Sequence, residues 1–145
     1  IEGGLQENIV PDNCKISVDY RILPDENPNQ IIDNIVEQLN KSGIENDDFE
    51  IEMKHLREAA IIPETENIVE KTCEAVEFVK GTKSQISGMT ATTDMSFFVN
   101  HANIPTVILG PGKIEDAHTV NESISIVELY EMTKIYATLL HLLFK

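Results

Sequence analysis

The strongest constraint on the fold is a stretch over residues 14–22 in which apolar and polar side chains alternate without a break. The apolar members are Cys14, Ile16, Val18, Tyr20 and Ile22, and the polar members are Lys15, Ser17, Asp19 and Arg21. Successive side chains of a β-strand point to opposite faces, so this period of two is typical of a strand with one buried and one solvated face. We therefore predict a strand over residues 14–22.

The segment after this strand has the signals of a helix. Asn27 is a favoured N-cap residue and Pro28 is favoured at the first helical position. Apolar residues follow at helical spacing until Gly43, which predicts a helix with one face against a sheet. Residues 49–53 alternate again and predict a second strand. The order strand, helix, strand, with one face of the strands exposed to solvent, indicates an α+β sandwich.

The pattern changes after Pro63, and the second half reads as α/β material. The continuous apolar run over 104–109 suits a strand buried on both faces, and a second short strand is predicted over 85–89. Three helices are predicted as well: one capped by Thr65 and ended by Gly81, a short one through Phe97 and Phe98, and a final one from about Ile126 with a capping box formed by Ser125 and Glu128.

Composition excludes several classes of function. The chain has 145 residues, enough for one ordinary domain or two small ones, and 41% of them are hydrophobic, enough to build a core. A net charge of −14 argues against nucleic acid or an anionic membrane as a partner. No apolar run approaches the ~20 residues that span a bilayer. Two cysteines without CxxC spacing indicate a reducing, cytoplasmic setting.

His118 is the most informative candidate for chemistry. It lies in the run from Gly110 to Glu122, after the apolar run and a glycine turn. A neutral imidazole at the mouth of a sheet can ligate a divalent metal. A histidine beside acidic residues can equally be a solvated or hydrogen-bonded surface residue, and the residues alone leave both interpretations open.

Four motifs, in this order and spacing, resemble the C-terminal part of the M20 metallopeptidase and deacylase family. They are Asn8-Ile9-Val10-Pro11-Asp12, Asp19-Tyr20-Arg21, Ala91-Thr92-Thr93-Asp94 and the run around His118. The family includes acetylornithine deacetylase, succinyl-diaminopimelate desuccinylase and carboxypeptidase G2-like enzymes. The resemblance implies a partial antiparallel lid (dimerisation) domain over residues 1–60, with a helix on one sheet face. It also implies the C-terminal α/β part of a zinc-hydrolase catalytic domain over residues 61–145.

The resemblance also assigns roles to individual residues. It makes His118 a metal ligand, and it places the substrate-binding groups at Asn8, Arg21, Thr92, Thr93, Asp94 and Gly110. An arginine fork suits a carboxylate because it binds both oxygens. Other interpretations stay open: Arg21 could pair with Asp19 on a solvated face, Asn8 could be a turn residue, and Asp94 could cap a helix. Ala91 stands where the family usually has glycine.

The chain lacks the rest of the family's active site. A zinc site needs at least three protein ligands and usually a carboxylate base. The family places the base and all the ligands other than the one matched by His118 upstream of the lid. The resemblance therefore implies no catalytic residue in this piece and one or two zinc or other divalent ions in the parent protein. Glu115, Asp116 and Glu122 near His118 are expected to be solvated rather than a substitute site. The first residue, Ile1, suggests a fragment or a processed chain.

Three functions follow as hypotheses. The first is part of a zinc-dependent hydrolase that cleaves the amide bond of an N-acyl amino acid or small peptide, the piece alone being inactive. Its partners would be a small carboxylate-bearing substrate and a second copy bound through the lid, with no nucleic acid or membrane. The second is a non-catalytic dimerisation module. The third is a small-ligand-binding α+β protein in which Arg21 captures a carboxylate.

Overall fold

The computed structural model describes residues 1–4 and 6–145. Within them the chain divides into two compact units, a first unit over Ile1–Glu52 and a second unit over Met53–Lys145. Regular structure is mostly helical, with one small antiparallel sheet, and this is compatible with the α+β class. No helix in the described ranges is both long enough and apolar enough to cross a membrane.

The sheet of the first unit is much shorter than the sequence predicts. Strand β1 covers Glu2–Gly3 and pairs antiparallel with β2 over Cys14–Lys15. Residues 16–22 form no β-ladder in the described structure, so the strand predicted over 14–22 is wrong beyond Lys15. Residues 49–53 form no ladder either, so the second strand prediction is wrong over its whole length. Alternation shows that side chains suit a sheet, but a strand also needs a neighbouring segment to accept and donate its backbone hydrogen bonds.

The helix of the first unit confirms its prediction. Helix α1 covers Pro28–Lys41, with Pro28 at its first position. The Asn27 side chain accepts a hydrogen bond from the backbone N–H of Asn29 at 2.9 Å and so caps the helix. After the C-cap residue Ser42, Gly43 has a positive φ of 85°, a conformation that suits glycine.

Helix α2, over Asn67–Lys80, opens the regular structure of the second unit. Its N-cap is Glu66, one residue beyond the predicted Thr65, and its C-cap is Gly81 as predicted. Gly81 has φ 68° and its N–H donates to the Glu77 carbonyl at 2.9 Å. Thr72, buried in this helix, satisfies its hydroxyl by donating to the Ile68 carbonyl at 2.6 Å.

Two further helices follow in the second unit. Helix α3 covers Met95–Asn100, through the predicted Phe97 and Phe98, and α4 covers Ile126–Leu143. Ser125 is the N-cap of α4 as expected, but its side chain makes no cap hydrogen bond, so the predicted capping box is wrong. The strands predicted over 85–89 and 104–109 are wrong for the reason given above: these described residues have no ladder partner.

The hydrophobic core lies between α2 and α4. Ala75 and Ile135 are completely buried and Met132 is 6% exposed, and these three form one cluster. Partly buried residues from both helices and from the 104–109 segment surround it: Val76, Val79, Leu109, Leu139 and Leu142. The core therefore fixes where the 104–109 segment ends, next to the glycine turn.

Candidate functional site

The loop that carries His118 is built from local turns. It begins with Gly110, Pro111 and Gly112, of which Gly112 has φ 89°, and continues into a 3-10 helix over Ile114–Asp116. The Asp116 carbonyl then accepts hydrogen bonds from both the backbone N–H of Thr119, at 3.2 Å, and its hydroxyl, at 2.7 Å. The loop is therefore ordered by its own hydrogen bonds, on both sides of His118.

His118 has an unusual backbone conformation. Its φ is 62°, in the left-handed region, where residues other than glycine are uncommon although histidine is enriched. Such a conformation costs of the order of 1–2 kcal/mol and persists only where the surroundings fix it. Here the backbone N–H of His118 donates to Glu122 Oε2 at 2.9 Å. The residue is exposed, so the loop presents its imidazole at the surface of the second unit.

The segment before this loop is held by α4. The Tyr136 hydroxyl donates a hydrogen bond to the Leu109 carbonyl at 2.8 Å. Gly110 follows directly and is exposed, with nothing within 4 Å of the place where a Cβ would lie. Gly110, a candidate for substrate binding, is therefore accessible from solvent. The hydrogen bond to the preceding carbonyl links its backbone to α4.

The second candidate loop, over Thr92, Thr93 and Asp94, leads into α3. Asp94 is the N-cap residue of that helix, but its side chain makes no cap hydrogen bond. The Thr93 hydroxyl instead accepts from the Met95 N–H at 3.3 Å. Asp94 thus stands at the N-cap position as expected, but its carboxylate does not cap the helix. The residue is exposed.

The far end of α3 is tied to a distant part of the second unit. The Asn100 side-chain amide donates to the Ala59 carbonyl at 3.1 Å and to Glu58 Oε2 at 3.4 Å. These bonds span more than 40 residues of sequence. Because α3 is short, fixing its C-terminal end also restrains the loop at its N-terminal end.

Asn8 and Arg21 belong to the first unit. Asn8 lies in a turn in which the Ile9 N–H donates to the Gln6 carbonyl at 3.2 Å, which agrees with the turn interpretation. Arg21 Nη2 donates to Asp19 Oδ2 at 2.8 Å, and both side chains are more than half exposed. The pairing expected for a solvated face is therefore present, and the guanidinium stays at the surface.

A carboxylate closes the turn that follows Arg21. Glu26 accepts a hydrogen bond from the Tyr20 hydroxyl at 2.9 Å and another from the Leu23 N–H at 2.8 Å. The hydrogen bond to Glu26, and then its negative charge, raise the pKa of the Tyr20 phenol above its ordinary value. Sequence patterns gave no sign of this contact, since Tyr20 was counted among the apolar residues of a strand.

The residues present do not complete a metal site by themselves. The described ranges contain no group of three His, Cys, Asp or Glu side chains that could hold an ion. One imidazole cannot fix a zinc ion against water. His118 fits the chemistry of a single ligand.

The second unit carries five of the seven candidate residues: Thr92, Thr93, Asp94, Gly110 and His118. Sequence reasoning missed the hydrogen bonds by which three side chains hold the candidate loops. These side chains are Tyr136, Asn100 and Glu122. For Tyr136 the hydroxyl was the available signal, since a tyrosine on a helix face usually finds a hydrogen-bond partner.

Comparisons with known proteins agree with the motifs. The family model "Peptidase family M20/M25/M40" matches residues 2–142. The chain is 29% identical to the N-formyl-4-amino-5-aminomethyl-2-methylpyrimidine deformylase of Halalkalibacterium halodurans, over 97% of this chain and 36% of that protein. It is 27% identical to the Bacillus subtilis protein of the same name, over 93% of this chain and 35% of that protein. The chain thus spans about a third of these relatives. No solved structure matches it.

Proposed function

Because the chain belongs to peptidase family M20/M25/M40, we propose that the protein to which it contributes hydrolyses the amide bond of a small N-acylated compound. The observation that carries this proposal is the family match over nearly the whole chain. The relatives named as deformylases support an amide with a small acyl group, such as formyl. The proposed reaction is attack of water on the amide carbonyl, which releases a carboxylic acid and an amine.

His118 is proposed as one ligand of a divalent metal ion, with zinc as the expected ion. Its support is the motif, the exposed imidazole and a loop that is ordered around a strained backbone. When bound, such an ion supplies Lewis acidity toward the amide carbonyl and the attacking water. The catalytic base would come from residues outside this chain.

The remaining candidates are proposed to bind the substrate. Arg21 and Asn8 would contact polar or anionic groups of the substrate in the first unit. Gly110 and the loop over Thr92, Thr93 and Asp94 would do so in the second unit. The open surface at Gly110 and the surface position of the Arg21 guanidinium support these roles.

The substrate class has two versions that experiment can separate. The relatives' name describes a formylated aminopyrimidine and mentions no carboxylic acid. The Arg21 motif instead favours a substrate with a free carboxylate, such as an N-acyl amino acid. The complete gene product should therefore be assayed with N-formyl aminomethylpyrimidine and with N-formyl and N-acetyl amino acids, each amino acid also as its methyl ester.

The first test concerns His118. We expect His118→Asn in the complete gene product to lower metal content and rate together, because it removes a ligand. Asparagine is chosen because it tolerates the left-handed backbone. Metal is measured by inductively coupled plasma mass spectrometry beside the amidase assay. Unchanged metal content and unchanged kcat would show that His118 is a surface residue.

The second test concerns Arg21. Arg21→Lys should raise KM for a carboxylate substrate far more than for its methyl ester, because an ammonium cannot replace a two-pronged guanidinium. Asp19→Asn is the matched control, since it removes the negative charge that pairs with Arg21 and keeps the guanidinium. An equal rise in KM for the acid and its ester would show that Arg21 does not bind the substrate carboxylate. Activity on the pyrimidine alone would favour the relatives' substrate.

A homodimer formed through the first unit is proposed as well. In the segment over 16–20, Ile16, Val18 and Tyr20 are exposed by 64%, 73% and 50%. These apolar side chains suit a contact with a second copy. Light scattering of the complete gene product tests this: Val18→Lys should shift a dimer to monomer, and a wild-type monomer would contradict the proposal.

A cytoplasmic location stays a prediction from cysteine usage.

A further inference from the structure

Tyr136 makes a contact that none of the assigned roles explains. It lies on α4, next to the completely buried Ile135, and its hydroxyl donates to the Leu109 carbonyl at 2.8 Å. The Leu109 side chain packs against the core cluster of Ala75, Met132 and Ile135. Helix α4 and its core therefore hold Leu109 twice, by its side chain and by its backbone.

The carbonyl that Tyr136 binds belongs to the peptide group that also contains the Gly110 N–H. That peptide is trans, as are all described peptides of the chain. In a trans peptide the C=O and the N–H point in opposite directions. A hydrogen bond that holds the carbonyl toward α4 therefore holds the Gly110 N–H away from α4.

The outward donor lies at an open place. Gly110 is exposed, a Cβ at this position would meet nothing within 4 Å, and no group in the described ranges accepts a hydrogen bond from its N–H. A backbone donor that is fixed in direction and open to approach can bind an oxygen of a ligand without any rearrangement of the loop.

We propose that Tyr136 is a positioning residue, which orients the Leu109–Gly110 peptide so that the Gly110 N–H donates to a carbonyl or carboxylate oxygen of the substrate. This rests on the proposed substrate role of Gly110 and adds the side chain that sets its direction. Tyr136 itself touches no substrate. Its effect passes through one hydrogen bond and one peptide plane.

The first arm of the test measures the peptide. Tyr136→Phe removes the hydroxyl and keeps the ring, so the packing of α4 is retained. Tyr130→Phe is the matched control, because Tyr130 lies on the same helix, is 64% exposed and contacts Lys134 through its ring face, which phenylalanine preserves. In the complete gene product, isotopically labelled at leucine carbonyl carbons and glycine nitrogens, Tyr136→Phe should move the Leu109 carbonyl ¹³C resonance and the Gly110 amide resonance, whereas Tyr130→Phe should move neither.

The second arm measures the consequence in the complete gene product. Tyr136→Phe should raise KM about fivefold, the change that corresponds to one net hydrogen bond, with kcat nearly unchanged. A role in stability alone would lower the amount of active enzyme and leave KM as it is. Tyr130→Phe should leave both constants unchanged.

Each outcome has one meaning. Unmoved Leu109 and Gly110 resonances in Tyr136→Phe overturn the proposal, and so does an unchanged KM in an active enzyme whose resonances have moved. If the complete wild-type gene product cleaves none of the amides, the proposed function fails together with the substrate role of Gly110. The resonances then still decide whether Tyr136 orients the peptide.

Discussion

Helices α1 and α2 have the same length, 14 residues, and similar ends, with a lysine in the last turn and a glycine of positive φ within two residues of the last helical residue. Yet α1 buries none of its residues, whereas α2 buries Val69, Thr72 and Ala75. Both helices have apolar residues at helical spacing. The difference is that α2 packs against α4, which contributes Met132 and Ile135.

This comparison separates two properties that a sequence pattern combines. The apolar stripe of a helix shows that one face can be buried, but its stabilisation requires a partner that removes that face from water. In the second unit the partner lies within the same 93-residue segment, Met53–Lys145. The first unit has only two residue pairs of sheet among its described residues. We therefore expect the second unit to carry most of the stability of the chain.

The largest expected effect is at the core. Ile135→Ala should lower the free energy of unfolding by about 2–5 kcal/mol, because it empties a completely buried position. Ile126→Ala on the same helix, where the side chain is 85% exposed, should change it by less than about 0.5 kcal/mol. Urea unfolding followed by circular dichroism measures both. An equal loss for Ile35→Ala in α1 would break the comparison between the units.

The helix ends give the next effect. Gly43→Ala and Gly81→Ala each place a Cβ on a left-handed backbone and should cost about 1–2 kcal/mol in the unit concerned. Gly88→Ala is the control, since its surroundings are equally open and its φ is not positive. If the first unit is only marginally stable, Gly43→Ala should instead reduce helix content without shifting the main unfolding transition. A shift of that transition by both variants would show that the two units unfold together.

Helix capping distinguishes α1 from α4 at a smaller scale. Asn27→Ala removes an observed cap hydrogen bond and should cost about 1 kcal/mol of helix stability. Ser125→Ala should cost only a few tenths of a kcal/mol, because the Ser125 side chain makes no cap hydrogen bond. Circular dichroism at 222 nm during thermal unfolding compares the two. A larger loss for Ser125→Ala would show that its capping box forms in solution.

The smallest effect concerns pH. The raised pKa of Tyr20 means that its neutral phenol is favoured by the contact with Glu26 in the folded chain. The contribution of this contact to stability is present below the ordinary phenol pKa and is lost as pH rises through the raised value. Ultraviolet titration of Glu26→Gln should show the phenol of Tyr20 ionising at lower pH than in the wild type. Tyr20→Phe identifies which of the phenols has moved.

The sequence predicted the helices well because their signals are local. Asn27, Pro28, Gly81 and Ser125 mark helix ends through the conformations and caps that they favour, and the structure has helix ends at or next to each of them. The strands failed because a ladder depends on a second segment. Residues 16–22 and 104–109 have suitable side chains, but no neighbour pairs with them in the described structure.

The candidate site was predictable only in part for a related reason. Motifs made His118 and Gly110 candidates, because these residues stand in a recognisable order along the chain. They could not identify Tyr136 or Asn100, because these side chains act over 27 and 41 residues of sequence. Nor could they predict the positive φ of His118, which is set by the surrounding turns and by the hydrogen bond to Glu122.

That positive φ means that the backbone and the side chain of position 118 favour different residue types. The backbone would accept glycine or asparagine most readily, and β-branched residues least. Histidine therefore stays there at an energetic disadvantage that other residue types would relieve. His118→Gly should relieve the backbone strain of the loop and remove the imidazole side chain. Imidazole added to the solution should then replace the missing side chain. Geometry and chemistry at this residue can in that way be studied one at a time.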